Sequence, residues 1–169
     1  GISIRLGYAD FEIRKCPKCK DFKGYTTEKK CPICNSTTTL LRRVSLVDAP
    51  GHETLMTTML SGAAVMQGAI LVIASNEECP QPRTIEHLMA ILSSGIKHII
   101  VVQNKVDLVS KQQAIKNYKQ IVSFLNKYGL KDVLVIPSAA NINVNKDVLL
   151  AAIYESFPIM EFDESKPLK

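Results

Sequence analysis

Residues 99–107 read IIVVQNKVD, and the change of character within that stretch decides the fold. Residues 99–102 are a short β-branched run, which suits a pleated surface buried on both faces and predicts a strand. Asn104, Lys105 and Asp107 then bring polar groups to the strand end, and 108–127 continues with helical spacing. Strand, polar loop and helix make one βα unit. The apolar runs 44–47, 69–74 and 133–136 repeat the theme, with only Ser45 interrupting one of them. Helical stretches are expected at 53–64, at 84–93 with Gly95 as a stop, at 110–127 stopped by Gly129, and at 145–157 stopped by Pro158. Repeated βα units of this kind predict an α/β domain, a mostly parallel sheet flanked by helices.

In a parallel sheet every strand ends at one edge, where open α/β folds bind their ligands. The segments expected there are DAPGHE at 48–53, SNEE at 75–78, NKVD at 104–107 and SAA at 138–140. Guanine presents N1–H and N2–H2 as adjacent donors. A fixed carboxylate accepts both in a charge-assisted pair that adenine does not offer, which makes Asp107 the candidate base reader. Asn104 can bond the other polar edge of guanine or brace neighbouring loops, and the aliphatic stem of Lys105 can lie flat over the purine. Ser138, Ala139 and Ala140 are small enough to let backbone N–H groups approach the base carbonyl. A four-residue motif recurs by chance, but this one follows a buried strand and has SAA at the next strand end. At the end of 44–47, Asp48 is suited to hold Mg2+ through water, and Gly51 lets its backbone N–H reach a terminal phosphate. His52 is placed to orient the water that attacks that phosphate in line. Alone, D-x-x-G is a common turn; its neighbours give it chemical sense. His87, within a helix, and His98, at the start of a strand, read as structural.

Composition narrows the class. With 169 residues, 46% hydrophobic and 22% charged, the chain can pack one domain, which excludes disorder and collagen. No apolar run approaches the roughly 20 residues of a bilayer-spanning helix and no secretory signal stands near residue 1, so the expectation is a soluble, cytoplasmic protein without membrane contact. The net charge of +5 is uneven: residues 1–47 hold 10 Lys/Arg against 4 Asp/Glu, and residues 48–169 hold 11 against 12. This excludes a polycation that coats nucleic acid over its whole surface and indicates one basic region.

That region contains Cys16, Cys19, Cys31 and Cys34, spaced C-x2-C-x11-C-x2-C. In a reducing compartment such spacing reads as a metal site and not as disulfides. Each C-x-x-C directs two sulfurs at one point about 2.3 Å away, and two such knuckles complete the tetrahedral S4 shell that suits zinc. A redox dithiol needs only one pair. Four thiolates leave no open position, so the role is structural. The knuckle occupies an insert at 15–38, at the tip of a hairpin formed by 4–8 with 11–14 and by 40–47. Within 15–30 six lysines stand against Asp21 and Glu28, a net of +4, which four thiolates and a divalent ion lower to about +2. Such a surface suits RNA, an acidic protein or plain solvent.

DAPGH, NKVD and SAA together resemble the translational GTPases, and the finer likeness is to the gamma subunits of archaeal and eukaryotic translation initiation factor 2. GISIRLGY at 1–8, LSGAA at 60–64, NEECPQP at 76–82 and EHL at 86–88 carry it, as does a cysteine knuckle between the second and third strands of the GTPase domain. The elongation factors that carry aminoacyl-tRNA are less similar, lacking the knuckle and CPQP. The resemblance implies a P-loop-GTPase-like fold, GTP and GDP with Mg2+ as ligands, and one structural zinc. It implies a carrier of initiator methionyl-tRNA to the small ribosomal subunit, working in a heterotrimer with alpha and beta subunits. It makes Asp48 a Mg2+-associated residue, Gly51 a sensor of the γ-phosphate and His52 the catalytic, water-positioning residue. Asn104, Lys105 and Asp107 with Ser138, Ala139 and Ala140 hold guanine, residues 51–64 are the mobile switch and its helix, and the four knuckle cysteines bind zinc.

The chain also departs from that family. No G-x-x-x-x-G-K-[ST] occurs in these residues, so the loop that cradles phosphates and the Ser/Thr that ligates Mg2+ are missing from them. In family terms the chain begins after the first strand, first helix and first switch. Residues 1–160 are therefore expected to be a partial GTPase domain without its first βα unit, and EFDESKPLK at 161–169 a linker toward a β-barrel domain. The expectation is a middle segment of a longer polypeptide, or one whose upstream piece was removed or is supplied separately. By itself it should bind GTP poorly, because base contacts remain while phosphate and metal contacts do not. A second reading is a non-enzymatic docking module, in which the basic knuckle and a nucleotide-free α/β domain bind RNA or protein.

Overall fold

The computed structural model describes residues 7–48 and 66–159. Gly51, His52, the helix expected at 53–64 and the tail 161–169 lie outside the described residues.

Strands β4 (Ala69–Ala74), β5 (Ile99–Asn104) and β6 (Leu134–Pro137) form a parallel sheet with β5 in the middle. Side chains alternate between the faces of a strand. Leu71, Ile73, Val101 and Val135 therefore pack on one face, with Leu88 and Ile91 of α1 (Pro82–Ser93) and Ile121, Phe124 and Leu125 of α2 (Lys111–Lys127). On the other face Ile100 and Ile136 join Leu150, Ala151, Ala152 and Ile153 of α3 (Lys146–Ser156). Each aliphatic side chain fully buried here contributes about 1.5–3 kcal/mol. The ends of α2 are set locally. Ser110 Oγ accepts the Gln113 N–H at 3.2 Å, which satisfies one orphan donor of the first turn. Gly129 has φ +76°, a conformation open to glycine without strain, and Leu130 N–H returns to Leu125 O at 3.1 Å.

The second sheet is antiparallel. Strand β1 (Gly7–Lys15) lies between β2 (Tyr25–Thr26) and β3 (Thr39–Asp48), with Tyr8 opposite Val47, Phe11 opposite Val44, and a register shift between Ile13 and Arg14. This is the hairpin expected from sequence, with the knuckle at its tip. Ile13 and Tyr25 belong to the same buried cluster as α3, so α3 joins the hairpin to the parallel sheet. Arg42 braces that junction: its Nη1 donates to Phe157 O at 2.8 Å and Ile153 O at 3.5 Å, and its guanidinium lies 5.6 Å from the Tyr154 ring centre. A cation is favoured at the carbonyl end of a helix. Replacing Arg42 by methionine keeps the apolar stem but removes the donors. The expected loss is about 1–2 kcal/mol, or about 3–6 °C in Tm for a protein of this size; an unaltered midpoint would remove Arg42 from this role.

Of the four strands expected in the parallel sheet, three share it among the described residues, whereas 44–47 lies in β3, which is there hydrogen-bonded to β1 and not to β4. Nor is β3 buried on both faces, with Leu46 39% and Val47 36% exposed. Its apolar residues that reach the core, Leu41 and Val44, do so through the α3 cluster. Val72 of β4 is likewise 58% exposed. Hydrophobic content reported strand character in these runs, and the neighbours on each face decided how much of it was covered.

Candidate functional site

The ends of β5 and β6 sit side by side, and the segments that follow them are tied together. Lys105 leaves the strand with φ +63°, a left-handed residue of the kind that turns a chain sharply and concentrates at functional sites. Val106–Leu108 then forms one turn of 3-10 helix. The Val106 N–H donates to Ser138 O at 3.1 Å, and the Ser138 N–H to Gln103 O at 2.8 Å. Asn104 Oδ1 accepts the Ala140 N–H at 3.1 Å. Of the two roles open to Asn104 from sequence, this contact is the brace. Ser138 and Ala139 are buried and Ala140 is exposed. Ser138 Oγ donates to Val144 O at 3.0 Å, and Asn143 and Asn145, both at positive φ, close the turn as asparagine does at low strain.

Asp107 is exposed, and its Oδ2 accepts from Asn141 Nδ2 at 3.0 Å. That bond ties the exposed carboxylate to the 138–141 turn, and each of its oxygens keeps capacity to accept a further donor. Sequence reasoning missed Asn141. Its signal was faint, an amide just beyond SAA in a stretch of exposed asparagines. The structure thus brings Asn104, Lys105, Asp107, Ser138, Ala139 and Ala140 to one rim. Asp48 is exposed at the last position of β3, opposite Gly7, in the other sheet. Ser75, at the end of β4, donates its N–H to Asn104 O at 2.8 Å.

The four cysteines form a second centre. Their sulfurs lie within 4.8 Å of one another, with Cys16 to Cys34 at 3.4 Å, Cys19 to Cys31 at 3.7 Å and Cys19 to Cys34 at 3.8 Å. A tetrahedron with metal–sulfur bonds of about 2.3 Å has edges of about 3.8 Å, so this donor set fits zinc. All four are free thiols. Ser36 hydrogen-bonds Cys34 and holds its thiol down at about 6, and the backbone N–H groups of Cys34 and Ile33 lower Cys31. Cys19 is pushed up to about 12, first by its hydrogen bond with Cys31 and then by burial. Such amide and hydroxyl donors aimed at sulfur are the outer partners that orient thiolate ligands.

The insert is built around this cluster. Cys16 N–H donates to Gly24 O at 2.8 Å, and a Cβ on Gly24 would stand 3.0 Å from Cys19 O, so the close approach needs glycine. Arg14 secures the returning limb, with Nε to Thr38 Oγ1 and Nη2 to Thr38 O, both at 2.9 Å. Its Nη1 also meets Glu12 at 2.6 Å, and that hydrogen bond holds the Glu12 carboxyl below the usual range. Cys79 is separate: burial pushes its thiol up to about 11, which makes it inert.

With this geometry in place, comparison with known proteins is consistent on every count. Residues 1–159 match the elongation factor Tu GTP binding domain. Translation initiation factor 2 subunit gamma of Methanococcus maripaludis strain C7 is 56% identical over 165 residues, covering 98% of this chain and 40% of that protein. The chain thus spans about two fifths of the curated relatives it matches. The bacterial selenocysteine-specific elongation factor is similar in structure, with a TM-score of 0.65 and 27% identity over 91% of this chain and 22% of its own. Elongation factor SelB of Methanococcus maripaludis, solved with the GTP analogue GPPNHP, has a TM-score of 0.61 and 28% identity over 72% of this chain and 28% of its own. No helix among the described residues is long and apolar enough to cross a membrane. A GTPase-like α/β fold, candidate guanine-reading groups at the strand ends and a sequence match over nearly all its length place the chain in the elongation factor Tu GTP-binding domain family.

Proposed function

We propose that this chain is the base-reading part of a GTP-hydrolysing switch in an initiation-factor-2 gamma subunit. The protein would work in the cytoplasm with alpha and beta subunits, bringing initiator methionyl-tRNA to the small ribosomal subunit. The observation that most supports this reading is the convergence of 104–107 and 138–141 on one rim, through Asn104 to Ala140 and Asn141 to Asp107. Asp107 accepts N1–H and N2–H2 of guanine, the stem of Lys105 covers the purine, and the small residues 138–140 leave room for its carbonyl. Asp48 would help hold Mg2+, Gly51 would meet the γ-phosphate and His52 would orient the attacking water. Bound magnesium supplies charge neutralisation on the phosphates. Cys16, Cys19, Cys31 and Cys34 hold one structural zinc.

Among the described residues β3 and β4 each have one unpaired edge, which is compatible with a further strand between the sheets, as the family's first βα unit would supply. Membership of a GTP-binding family weighs for this reading over the docking module.

Titration of the 169-residue chain with GDP and with ADP, followed by amide chemical shifts, tests base recognition without relying on phosphate contacts. GDP is expected to move resonances of 104–108 and 138–141 at millimolar concentrations, and ADP to leave them in place. An equal response to both, or one confined to other residues, would overturn the reading.

A further inference from the structure

A buried amide pair stands directly behind the 104–107 loop. Gln103 and Asn117 are 2% and 0% exposed, in the layer between β5 and α2 that otherwise holds Val101, Ile121 and Leu125. A polar group in such a layer is costly unless bonded, and these bonds are directed at particular backbone atoms. Gln103 Nε2 donates to Ala114 O at 2.8 Å and to Asn117 Oδ1 at 2.9 Å. Asn117 Nδ2 donates to Glu77 O at 2.8 Å and to Ala74 O at 3.5 Å. The pair therefore ties α2 to β5 and to the segment after β4. The backbone completes the ring, with Ser75 N–H on Asn104 O and Ser138 N–H on Gln103 O, both at 2.8 Å. Two apolar side chains of similar shape would serve packing about as well. What the amides add is register, because sliding β5 against α2 would leave them unpaired.

We propose that Gln103 and Asn117 are positioning residues for base recognition. They fix where Asn104 and Asp107 stand relative to the 138–141 turn, and so sharpen selection of guanine over a base that lacks its amino group. This inference rests on the guanine reading above. A carboxylate accepts two adjacent donors only when it lies edge-on to both, and a displacement of about 1 Å forfeits the second bond while sparing the first. Hypoxanthine offers N1–H alone, so its binding is insensitive to that displacement.

The test compares GDP with IDP on the chain and on the double variant Gln103→Met/Asn117→Leu, which removes both amides with little change of shape. The wild type is expected to prefer GDP by about tenfold, the worth of one bond to a charged acceptor. The variant should keep its thermal midpoint within a few degrees while that preference falls about fivefold through weaker GDP binding. A packing role alone leaves the ratio unaltered, so a folded variant with the wild-type ratio overturns the proposal. Should the variant fail to fold, hydrogen exchange in the wild type decides. The amides of Ser75 and Val106 are expected to open in one cooperative unit with those of α2 around Asn117, and independent, faster exchange overturns the proposal. A wild type that does not distinguish GDP from ADP would show that the guanine reading itself has failed, and this inference with it.

Discussion

Replacing Asp107 by asparagine is expected to turn the base preference from guanine toward xanthine. Asn141 Nδ2 already occupies one Asp107 oxygen at 3.0 Å, and the carbonyl of an asparagine can keep that bond. Its amide nitrogen then faces the base as a donor where the carboxylate only accepted. Against guanine, one charge-assisted bond becomes a bond to a neutral carbonyl and the other is replaced by opposed N–H groups. At about 1.5–3 kcal/mol for each such bond, GDP affinity should fall by roughly a hundredfold or more. Xanthine carries a carbonyl in place of the amino group, so XDP gains what GDP loses. Competition of GDP and XDP on wild type and variant reads this directly, and an unchanged preference would remove Asp107 from the base site. The fold should be unaffected, because Asp107 is exposed.

The other large effect concerns the cysteines. Elemental analysis is expected to find about one zinc per chain, and its removal by chelation or by Cys31→Ser should unfold residues 16–38 selectively. Burial supplies little there beyond Cys16, Gly24, Tyr25, Thr26, Cys31 and Thr38, so the limbs are expected to depend on the metal. In zinc-finger peptides such binding is worth about 10–16 kcal/mol near neutral pH. Without a cation Cys19 favours the protonated thiol, through its hydrogen bond with Cys31 and then burial; a divalent ion reverses that preference. The damage should reach α3 in part, because Tyr25 packs against it and its hydroxyl contacts Glu155 at 3.3 Å. The parallel sheet, whose other face is covered by α1 and α2, should persist. Hydrogen exchange at Cys16 and Cys31, whose N–H groups bond Gly24 O and Ser36 O, locates the change. A metal-free chain with those amides still protected would contradict the structural role.

The elements themselves were largely legible in the chain. Helices expected at 84–93, 110–127 and 145–157 occur at Pro82–Ser93, Lys111–Lys127 and Lys146–Ser156, because stop and cap signals such as Gly129 and Ser110 act within one turn. The knuckle was legible for a similar reason: two residues between cysteines fix the sulfur geometry locally. Gln103 and Asn117 were not recognised, although a polar residue on the apolar stripe of α2, between Ala114 and Ile121, was a visible anomaly. Its meaning depended on a partner 14 residues away.

By itself, then, the amino-acid order determined the βα rhythm, the paired cysteine spacing and the chemistry offered at the strand ends, all of which depend on neighbours within a few residues. Only the tertiary structure decided that 44–47 pairs antiparallel with β1 and, among the described residues, not with β4, and that Asn141 bonds Asp107. It alone showed that Arg42 closes α3 and that a buried amide pair stands behind the 104–107 loop. Strand partners and side-chain hydrogen bonds between distant segments are chosen by which surfaces meet when the core forms. Hydrophobic pattern reports that a face will be covered, but not by what.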